Sequence, residues 1–453
     1  MEDTIAAIST PLGVGGIAIV RMSGSHAFDV ADAVFHSSQG KPSTFASHTI
    51  HHGKIIEAGE IVDEVMLSIL RAPRTYTTED TIEINCHGGL VTAQRILALC
   101  LRNGARMADP GEFTKRAFLN GRLDLTQAEA VMDLISAKTQ RAQAAAMQAL
   151  EGKLYRHIEA IRQRIITILA HIEAHLDFSE EDIELATRES LYADIEQCIQ
   201  AAQKLSETAR SGRILREGIL IAIVGRPNVG KSSLMNALVG RDRSIVTHIP
   251  GTTRDSVEEL ITIHGFPIRL TDTAGYRRKC GTIEGFGINR MHKVLSEAEI
   301  VIHVVDASRK FSVLDLEILS FCKTKSVVQV FNKADLKTLI IPPLEWHHYK
   351  RINMSAVTGF GLDSLKNEIL KCISNKSCIT STSEVFINER HNNLLTRIIW
   401  FLNRTKKSIL NDTGFEIIAH DMRQALLLSG EITGHIINED VLDRLFESFC
   451  IGK

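Results

Sequence analysis

The segment Gly225-Arg226-Pro227-Asn228-Val229-Gly230-Lys231-Ser232 constrains this chain more than any other. It follows six apolar residues, Ile219-Leu220-Ile221-Ala222-Ile223-Val224, of the kind that form a strand buried on both faces. It precedes a helix expected to begin near Ser233. The pattern GxxxxGK[ST] between a strand and a helix describes a phosphate-binding loop. Such a loop points its backbone N–H groups, and the N-terminus of the helix behind it, at phosphate oxygens. Lys231 brings a positive charge to the β and γ oxygens, and Ser232 offers a hydroxyl to magnesium.

Further motifs follow in the order that such a domain requires. Asp272-Thr273-Ala274-Gly275 comes after a strand; Asp272 can organise a magnesium shell and the Gly275 N–H can sense a γ-phosphate. Asn332-Lys333-Ala334-Asp335 comes after a later strand. A carboxylate there accepts from guanine N1 and N2 together, which adenine cannot match, so the base is guanine. Ser355-Ala356-Val357 fits the short loop that supports the guanine carbonyl. Thr252-Thr253-Arg254-Asp255 lies where a switch loop gives a threonine to magnesium. Together these motifs specify a GTP-binding domain of the Ras-like, doubly wound α/β type.

The hydrolytic machinery is less explicit. The position after Asp272–Gly275 that carries a water-orienting glutamine in the Ras-like template is Tyr276 here, and a phenol lacks an amide's paired donor and acceptor. Glu284 is the best nearby carboxylate: it either orients the attacking water or is a solvated surface residue. No arginine finger in cis is obvious. Asn228 either ligates a monovalent cation against the phosphates or holds the loop by hydrogen bonds. Carbonyls of the loop Thr247-His248-Ile249-Pro250-Gly251-Thr252 would complete an oxygen cage suited to a hard cation.

Outside this domain the pattern changes. No proline occurs between Pro110 and Pro227 or after Pro343, and only Gly152 and Gly212 interrupt the stretch between Gly121 and Gly218. Apolar residues recur there at spacings of three and four, through Leu125, Ala128, Val131 and Met132 and on through Leu154, Ile158, Ile161 and Ile165, which predicts long helices. Residues 394–402 and 425–428 behave alike. In the first 120 residues, the runs 17–20, 65–69 and 81–84 read as strands and 90–102 as an amphipathic helix, an α/β or α+β arrangement. The expected plan is multidomain: an α/β N-terminal domain over 1–119, an all-α domain over 120–216 and 376–453, and an inserted α/β P-loop domain over 217–375.

A chain of 453 residues accommodates such a plan. Its net charge of −2 means that any contact with RNA must come from a local patch or a partner. The eight cysteines include no CxxC pair, which argues against a zinc ribbon and fits a reducing compartment. The N-terminus lacks a leader or transit pattern and no apolar run is long enough to span a membrane, so a cytoplasmic location is expected.

The chain resembles the MnmE (TrmE) family of tRNA-modification GTPases over nearly its whole length. The resemblance rests on Gly225–Ser232 with Asn228, Pro250–Asp255 and Asp272–Gly275. Outside the GTPase core it rests on Gly111-Glu112-Phe113-Thr114-Lys115-Arg116-Ala117-Phe118-Leu119-Asn120 and on the terminal Phe449-Cys450-Ile451-Gly452-Lys453. It implies magnesium ligands at Ser232 and Thr253, potassium ligands at Asn228, Thr247, Ile249 and Thr252, and a catalytic role for Glu284. It also implies a homodimer whose paired G domains depend on potassium.

For the N-terminal domain the resemblance implies a folate-binding fold that also mediates dimerisation. Arg21, Glu83, Arg122 and Lys453 match its tetrahydrofolate-binding positions; Arg122 stands where the family often has lysine, which keeps charge but changes donor geometry. A 5,10-methylene- or 5-formyl-tetrahydrofolate derivative would donate a one-carbon unit to C5 of a wobble uridine. An FAD-dependent partner of the MnmG type would share in forming an aminomethyl-type group there. Taken by themselves, Arg21 and Glu83 read equally as surface ion-pair residues, and the Cys450 thiol as either nucleophile or packing. The strongest rival is a ribosome-assembly GTPase of the Era or Der type, but residues 376–453 carry no GxxG loop and only one GTPase copy is present. A non-enzymatic folate- or RNA-binding scaffold fits poorly with an intact Lys231, Ser232, Thr253 and Asp272.

Overall fold

The computed structural model describes residues 3–177, 187–242, 258–272, 294–322, 325–343, 346, 348–374, 385–411 and 413–453. They form two compact units. The first comprises Met1–Met132, Tyr155–Gln163 and Leu426–Lys453; the second comprises Asp133–Leu154 and Arg164–Ala425.

In chain order, the elements begin with β1 (Ile5–Ile8), β2 (Ile17–Ser23), α1 (Ala27–Val34), β3 (Phe35–His36), β4 (Thr49–Glu57), β5 (Glu60–Leu70), β6 (Thr81–His87), α2 (Leu90–Arg102), β7 (Arg106–Met107) and α3 (Glu112–Leu119). Helices α4 (Leu125–Ser136), α5 (Gln140–Leu150), α6 (Lys153–Asp177), α7 (Arg188–Ser206) and α8 (Ala209–Glu217) follow. Next come β8 (Ile219–Val224), α9 (Lys231–Asp242), β9 (Glu258–Ile263), β10 (Phe266–Asp272), β11 (Ile300–Asp306), α10 (Val313–Ser320), β12 (Ser326–Asn332), β13 (Lys350–Asn353) and α11 (Leu362–Ser374). Helices α12 (Glu389–Leu410), α13 (Phe415–Thr433) and α14 (Glu439–Glu447) complete the described elements.

The first unit is built on a seven-stranded sheet in the order β3-β4-β5-β6-β2-β1-β7. Its pairings are antiparallel except for β1 with β7. Alternation along the strands sends Val20 and Met22 of β2, Leu67 and Ile69 of β5, and Ile82 and Ile84 of β6 into one core, which α1 and α2 close with Phe28, Val30, Ile96 and Leu97. The same alternation turns Arg21 and Glu83 to the opposite face, directly across from each other in register. Of the two arrangements the sequence left open, the antiparallel one is observed.

Helix α3 adds a buried ionic knot. Arg116, 1% exposed, bonds Glu112 Oε1 at 3.0 Å, Asp3 Oδ1 at 2.8 Å and Glu79 at 3.2 Å. A guanidinium with five donors satisfies several carboxylates at once, which explains why the Gly111–Asn120 segment carries Glu and Arg four residues apart.

The long apolar period after Leu125 is broken into separate helices. Thr139 caps α5 by accepting from Ala142 N at 3.1 Å. Gly152, at φ +76°, turns the chain into the 25-residue α6. Helix α7 packs against α12.

The second sheet has six strands in the order β13-β12-β11-β8-β10-β9, parallel except that β9 runs antiparallel to β10. All six residues of β8 are buried, as a central parallel strand covered on both faces requires. From β8 the chain winds first to the β10 side and then to the β11 side. The carboxyl end of β8 is thus a topological switch point, where open α/β sheets bind ligands. Among the described residues no helix is long and apolar enough to cross a membrane.

Candidate functional site

The loop Gly225–Gly230 emerges from β8 at this switch point, and α9 begins at Lys231, two residues earlier than the sequence suggested. Gly225 (φ +151°) passes so close to Val304 that an added Cβ would lie 2.3 Å from its carbonyl oxygen. Lys231 is 6% exposed and donates from Nζ to the carbonyls of Gly225 (2.9 Å) and Arg226 (2.8 Å). The ammonium is therefore held against the loop's own carbonyls. Ser232 Oγ donates to Asp272 Oδ2 at 2.9 Å, so two expected magnesium-site residues meet at the ends of α9 and β10. A hydroxyl beside a buried carboxylate is an all-oxygen donor set, which suits magnesium.

The guanine-side motif is tied to the phosphate side by one buried amide. Asn332 donates from Nδ2 to the Val229 carbonyl at 2.9 Å and accepts at Oδ1 from Ala356 N at 3.0 Å. Three segments far apart in sequence are thereby locked together. Lys333, at φ +67°, donates to Asn228 O at 3.1 Å and to Asp306 Oδ2 at 2.6 Å. Ser355 is fully buried, and its Oγ accepts from Thr358 N at 3.2 Å, which shapes the loop carrying Ala356 and the exposed Val357. Ala334 N bonds Met354 O at 3.0 Å, and Asp335 is exposed at the rim. Ser233 is exposed in the first turn of α9. Asn228 sits at φ +64° with its side chain exposed and in no hydrogen bond among the described residues. The positions Thr247, His248, Ile249, Pro250, Gly251, Thr252, Thr253, Thr273, Ala274, Gly275 and Glu284 lie outside the described residues.

Two carboxylates at this site were not foreseen. Asp306 ends β11 and is 1% exposed. Burial pushes its pKa up, but hydrogen bonds from Lys333 and Ser308 outweigh that and hold it below the usual 3.8. An aspartate closing an apolar strand at the ligand edge of a parallel sheet was the available signal. Asp315, fully buried in α10, accepts from Arg226 Nε at 2.8 Å; its helical run gave no sign of that contact.

The first unit assembles a second polar site. Arg21 Nε donates to Glu83 Oε1 at 2.8 Å, and Arg21 Nη1 donates to Gly452 O at 3.3 Å. The terminal residues are held there because Gly452, at φ +91°, lies against the Ile8 carbonyl with no room for a Cβ. Lys453 is consequently half-buried beside the pair. Burial lowers its pKa, and repulsion from Arg21 lowers it further against the opposing pull of Glu83. Arg122 reaches the same neighbourhood by way of Tyr76: it donates to Tyr76 O at 2.6 Å and lies 4.9 Å from that ring, while Arg21 lies 5.9 Å from it. The structure thus brings Arg21, Glu83 and Lys453 together, with Arg122 joined through an aromatic ring that sequence reasoning did not single out. Cys450 is exposed in the same tail.

Comparison with known proteins places the chain in a family. Residues 4–122 match the profile described as GTP-binding protein TrmE N-terminus, and residues 125–450 match the MnmE helical domain. The protein named tRNA modification GTPase MnmE from Acetivibrio thermocellus is 43% identical, over 100% of this chain and 99% of its own length. Those of Listeria welshimeri (44%, covering 100% and 99%) and Bacillus subtilis (42%, covering 100% of each) are similar to the same degree. The chain belongs to the MnmE (TrmE) family of tRNA modification GTPases.

Proposed function

We propose that this chain is a potassium-stimulated GTP hydrolase that drives modification of wobble uridine in tRNA. The observation that carries the nucleotide part is the Asn332 amide bridging the phosphate loop and the Ser355–Val357 loop. It sets phosphate and base recognition in one frame before any ligand arrives, which is the preorganisation that phosphoryl transfer depends on. Lys231 directs its ammonium at the β and γ oxygens, and the loop N–H groups of Asn228 to Ser233 surround them. Asp335 accepts from guanine, with Ala356 and Val357 beside the base. Glu284 orients water for attack. Magnesium, held by Ser232 and Thr253 with Asp272 behind them, would neutralise charge developing on the phosphate oxygens. Potassium would be held by Asn228, Thr247, Ile249 and Thr252 and would supply the positive charge that an arginine finger supplies in other GTPases; the exposed amide of Asn228, in no hydrogen bond among the described residues, supports that reading.

In the first unit, Arg21, Glu83, Arg122 and Lys453 would bind a 5,10-methylene- or 5-formyl-tetrahydrofolate derivative. The paired carboxylate and guanidinium suit a pterin edge, and the cations suit a glutamyl tail. The one-carbon unit would pass to uridine C5 in a cytoplasmic complex of a homodimer of this chain, an FAD-dependent MnmG-type partner and tRNA. Residues 1–119 would serve folate binding and dimerisation, 217–375 hydrolysis.

The test is GTP turnover in potassium and in sodium at equal ionic strength, with Asn228→Ala and Asp335→Asn alongside. The expected result is strong potassium stimulation lost in Asn228→Ala, and a shift of preference from GTP to XTP in Asp335→Asn. Equal rates in both salts would return Asn228 and Glu284 to structural roles.

A further inference from the structure

Tyr76 and Arg122 also line a cavity of about 550 Å³ in the first unit. Its lining includes Arg74, Arg122, Tyr76, Asn120, Thr75 and Thr78, and no Asp or Glu. The volume is that of a small-molecule site, and the lining sets two guanidinium groups and several polar side chains among Leu70, Pro73 and the Tyr76 ring. Arg74 is exposed and makes no ion pair or hydrogen bond among the described residues. Arg122 spends one donor on Tyr76 O and has no carboxylate partner among the described residues. Several guanidinium groups elsewhere in this unit are matched to acids, Arg95 and Arg102 with Glu57, Arg106 with Asp3 and Glu112, and Arg116 with Asp3, Glu79 and Glu112, while Arg71 is held by the Ser43 and Phe45 carbonyls. Two unneutralised guanidiniums facing one cavity are therefore a local excess of positive charge in a chain of net charge −2.

The walls are fixed independently of any ligand. Asn120 Nδ2 donates to Thr77 O at 2.7 Å, Arg122 N donates to Ala117 O at 2.9 Å, and Thr75 Oγ1 donates to Glu79 O at 2.6 Å. Such a frame presents its donors without having to order them at the moment of binding.

We propose that this cavity is an anion subsite for carboxylates added beyond the first glutamate of a folate ligand, with Arg74 as the residue that selects for the longer, polyglutamylated form. The inference rests on the folate reading of Arg21, Glu83, Arg122 and Lys453, and deepens it. Tyr76 joins the two regions: its ring faces both Arg21 and Arg122, and it lines the cavity. Of the two guanidiniums that line the cavity, Arg122 would meet the first carboxylate of a ligand whose pterin engages Arg21 and Glu83, which leaves Arg74 for the next. Each γ-linked glutamyl unit adds one carboxylate, and a planar guanidinium accepts it through two parallel hydrogen bonds. Because the site is open to water, the gain per carboxylate is modest and screened by salt.

The experiment is calorimetric titration of the full-length chain with 5-formyl-tetrahydrofolate carrying one glutamate or three. The triglutamate is expected to bind about three- to tenfold more tightly at low salt, an advantage that shrinks as potassium chloride is added. Arg74→Ala should bring the two forms together while leaving monoglutamate affinity in place, which also certifies that the variant is folded. Arg74→Lys should keep part of the preference. Equal affinities in the parent chain, or an undiminished preference in Arg74→Ala, would overturn the inference. So would weakened tRNA binding in Arg74→Ala with folate preference intact, which would assign the cavity to RNA phosphate. If neither folate form binds, the folate reading itself fails and this subsite with it.

Discussion

Arg226 and Asp315 form an ion pair, Nε to Oδ1 at 2.8 Å, between the second residue of the phosphate loop and the helix that follows β11. Asp315 is fully buried, and the Arg226 side chain is 19% exposed. The backbone carbonyl of Arg226 is in turn an acceptor for Lys231 Nζ. The side-chain pair therefore fixes the carbonyl that fixes the phosphate-binding ammonium. Removing one partner of a largely buried pair strands the other, at a cost of about 3 kcal/mol. Asp315→Ala is expected to lower the melting temperature and to raise KM for GTP about tenfold with a smaller change in kcat. Asp315→Asn, which keeps an acceptor, should recover most of the KM. Steady-state kinetics beside a thermal melt separate this positioning effect from simple loss of fold.

Gly230 offers a sharper test of the link between phosphate and base recognition. Its φ is +99°, and an added Cβ would lie 2.2 Å from Asn332 Nδ2. Neither the backbone nor the amide has an inexpensive escape, because Asn332 is held at both ends. Strain of about 1–3 kcal/mol corresponds to roughly a five- to 150-fold loss of GTP affinity in Gly230→Ala. Fluorescent-nucleotide binding would show it, and unchanged affinity would mean that the Asn332 bridge does not govern the site.

Much of this site was legible because its physics is local. A buried strand, a glycine loop and a helix adjoin in sequence, so Lys231 and Ser232 could be assigned before any fold was known. The run 90–102 likewise announced its helix, since amphipathic spacing needs no distant partner. Contacts made across the sheet were not legible. Asp306 and Asp315 act through residues 27 and 89 positions away; the place of Asp306 at the end of an apolar strand signals a role but not its partner, and nothing around Asp315 records either. The convergence of Arg21 with the last two residues depends on Gly452 fitting against Ile8, a packing fact invisible in composition. Breaks within the helical stretch were missed because period alone does not reveal a cap such as Thr139.

The ionic knot under α3 should make the first unit acid-sensitive. Burial pushes the Glu112 carboxyl up, but hydrogen bonds from Arg106, Asp109 N and Arg116 prevail and hold it below its usual 4.5. Asp3 is likewise held below 3.8, with burial outweighed by Arg106 and Arg116. Carboxylates with depressed pKa values stabilise the fold above their unfolded pKa, and that contribution is lost as pH falls through the folded one. Stability should therefore decline from about pH 4.5 downward. Glu112→Gln should cost about 2 kcal/mol near neutrality, since Arg116 retains Glu79 and Asp3. It should also flatten the acid limb. Chemical denaturation followed across pH would check both, and an acid limb of unchanged steepness in the variant would locate the sensitivity elsewhere.

Lys453 reports on the Arg21–Glu83 pair through its own titration. Burial is the largest cause of its lowered pKa, with repulsion from Arg21 next and attraction to Glu83 and Cys450 opposing both. These electrostatic contributions differ in sign, so substitutions should move the titration in opposite directions. Arg21→Ala removes the repulsion and should raise the Lys453 pKa toward 10.5; Glu83→Gln removes the attraction and should lower it further. Nitrogen-15 NMR of the lysine ammonium across alkaline pH reads the two shifts directly. If the terminal lysine also neutralises a folate carboxylate, ligand affinity should fall as pH rises through its pKa. That fall should come at a lower pH in Glu83→Gln than in the parent chain. Identical Lys453 titrations in both variants would show that the terminus does not sense the pair in solution, and would detach the last residue from the proposed folate site.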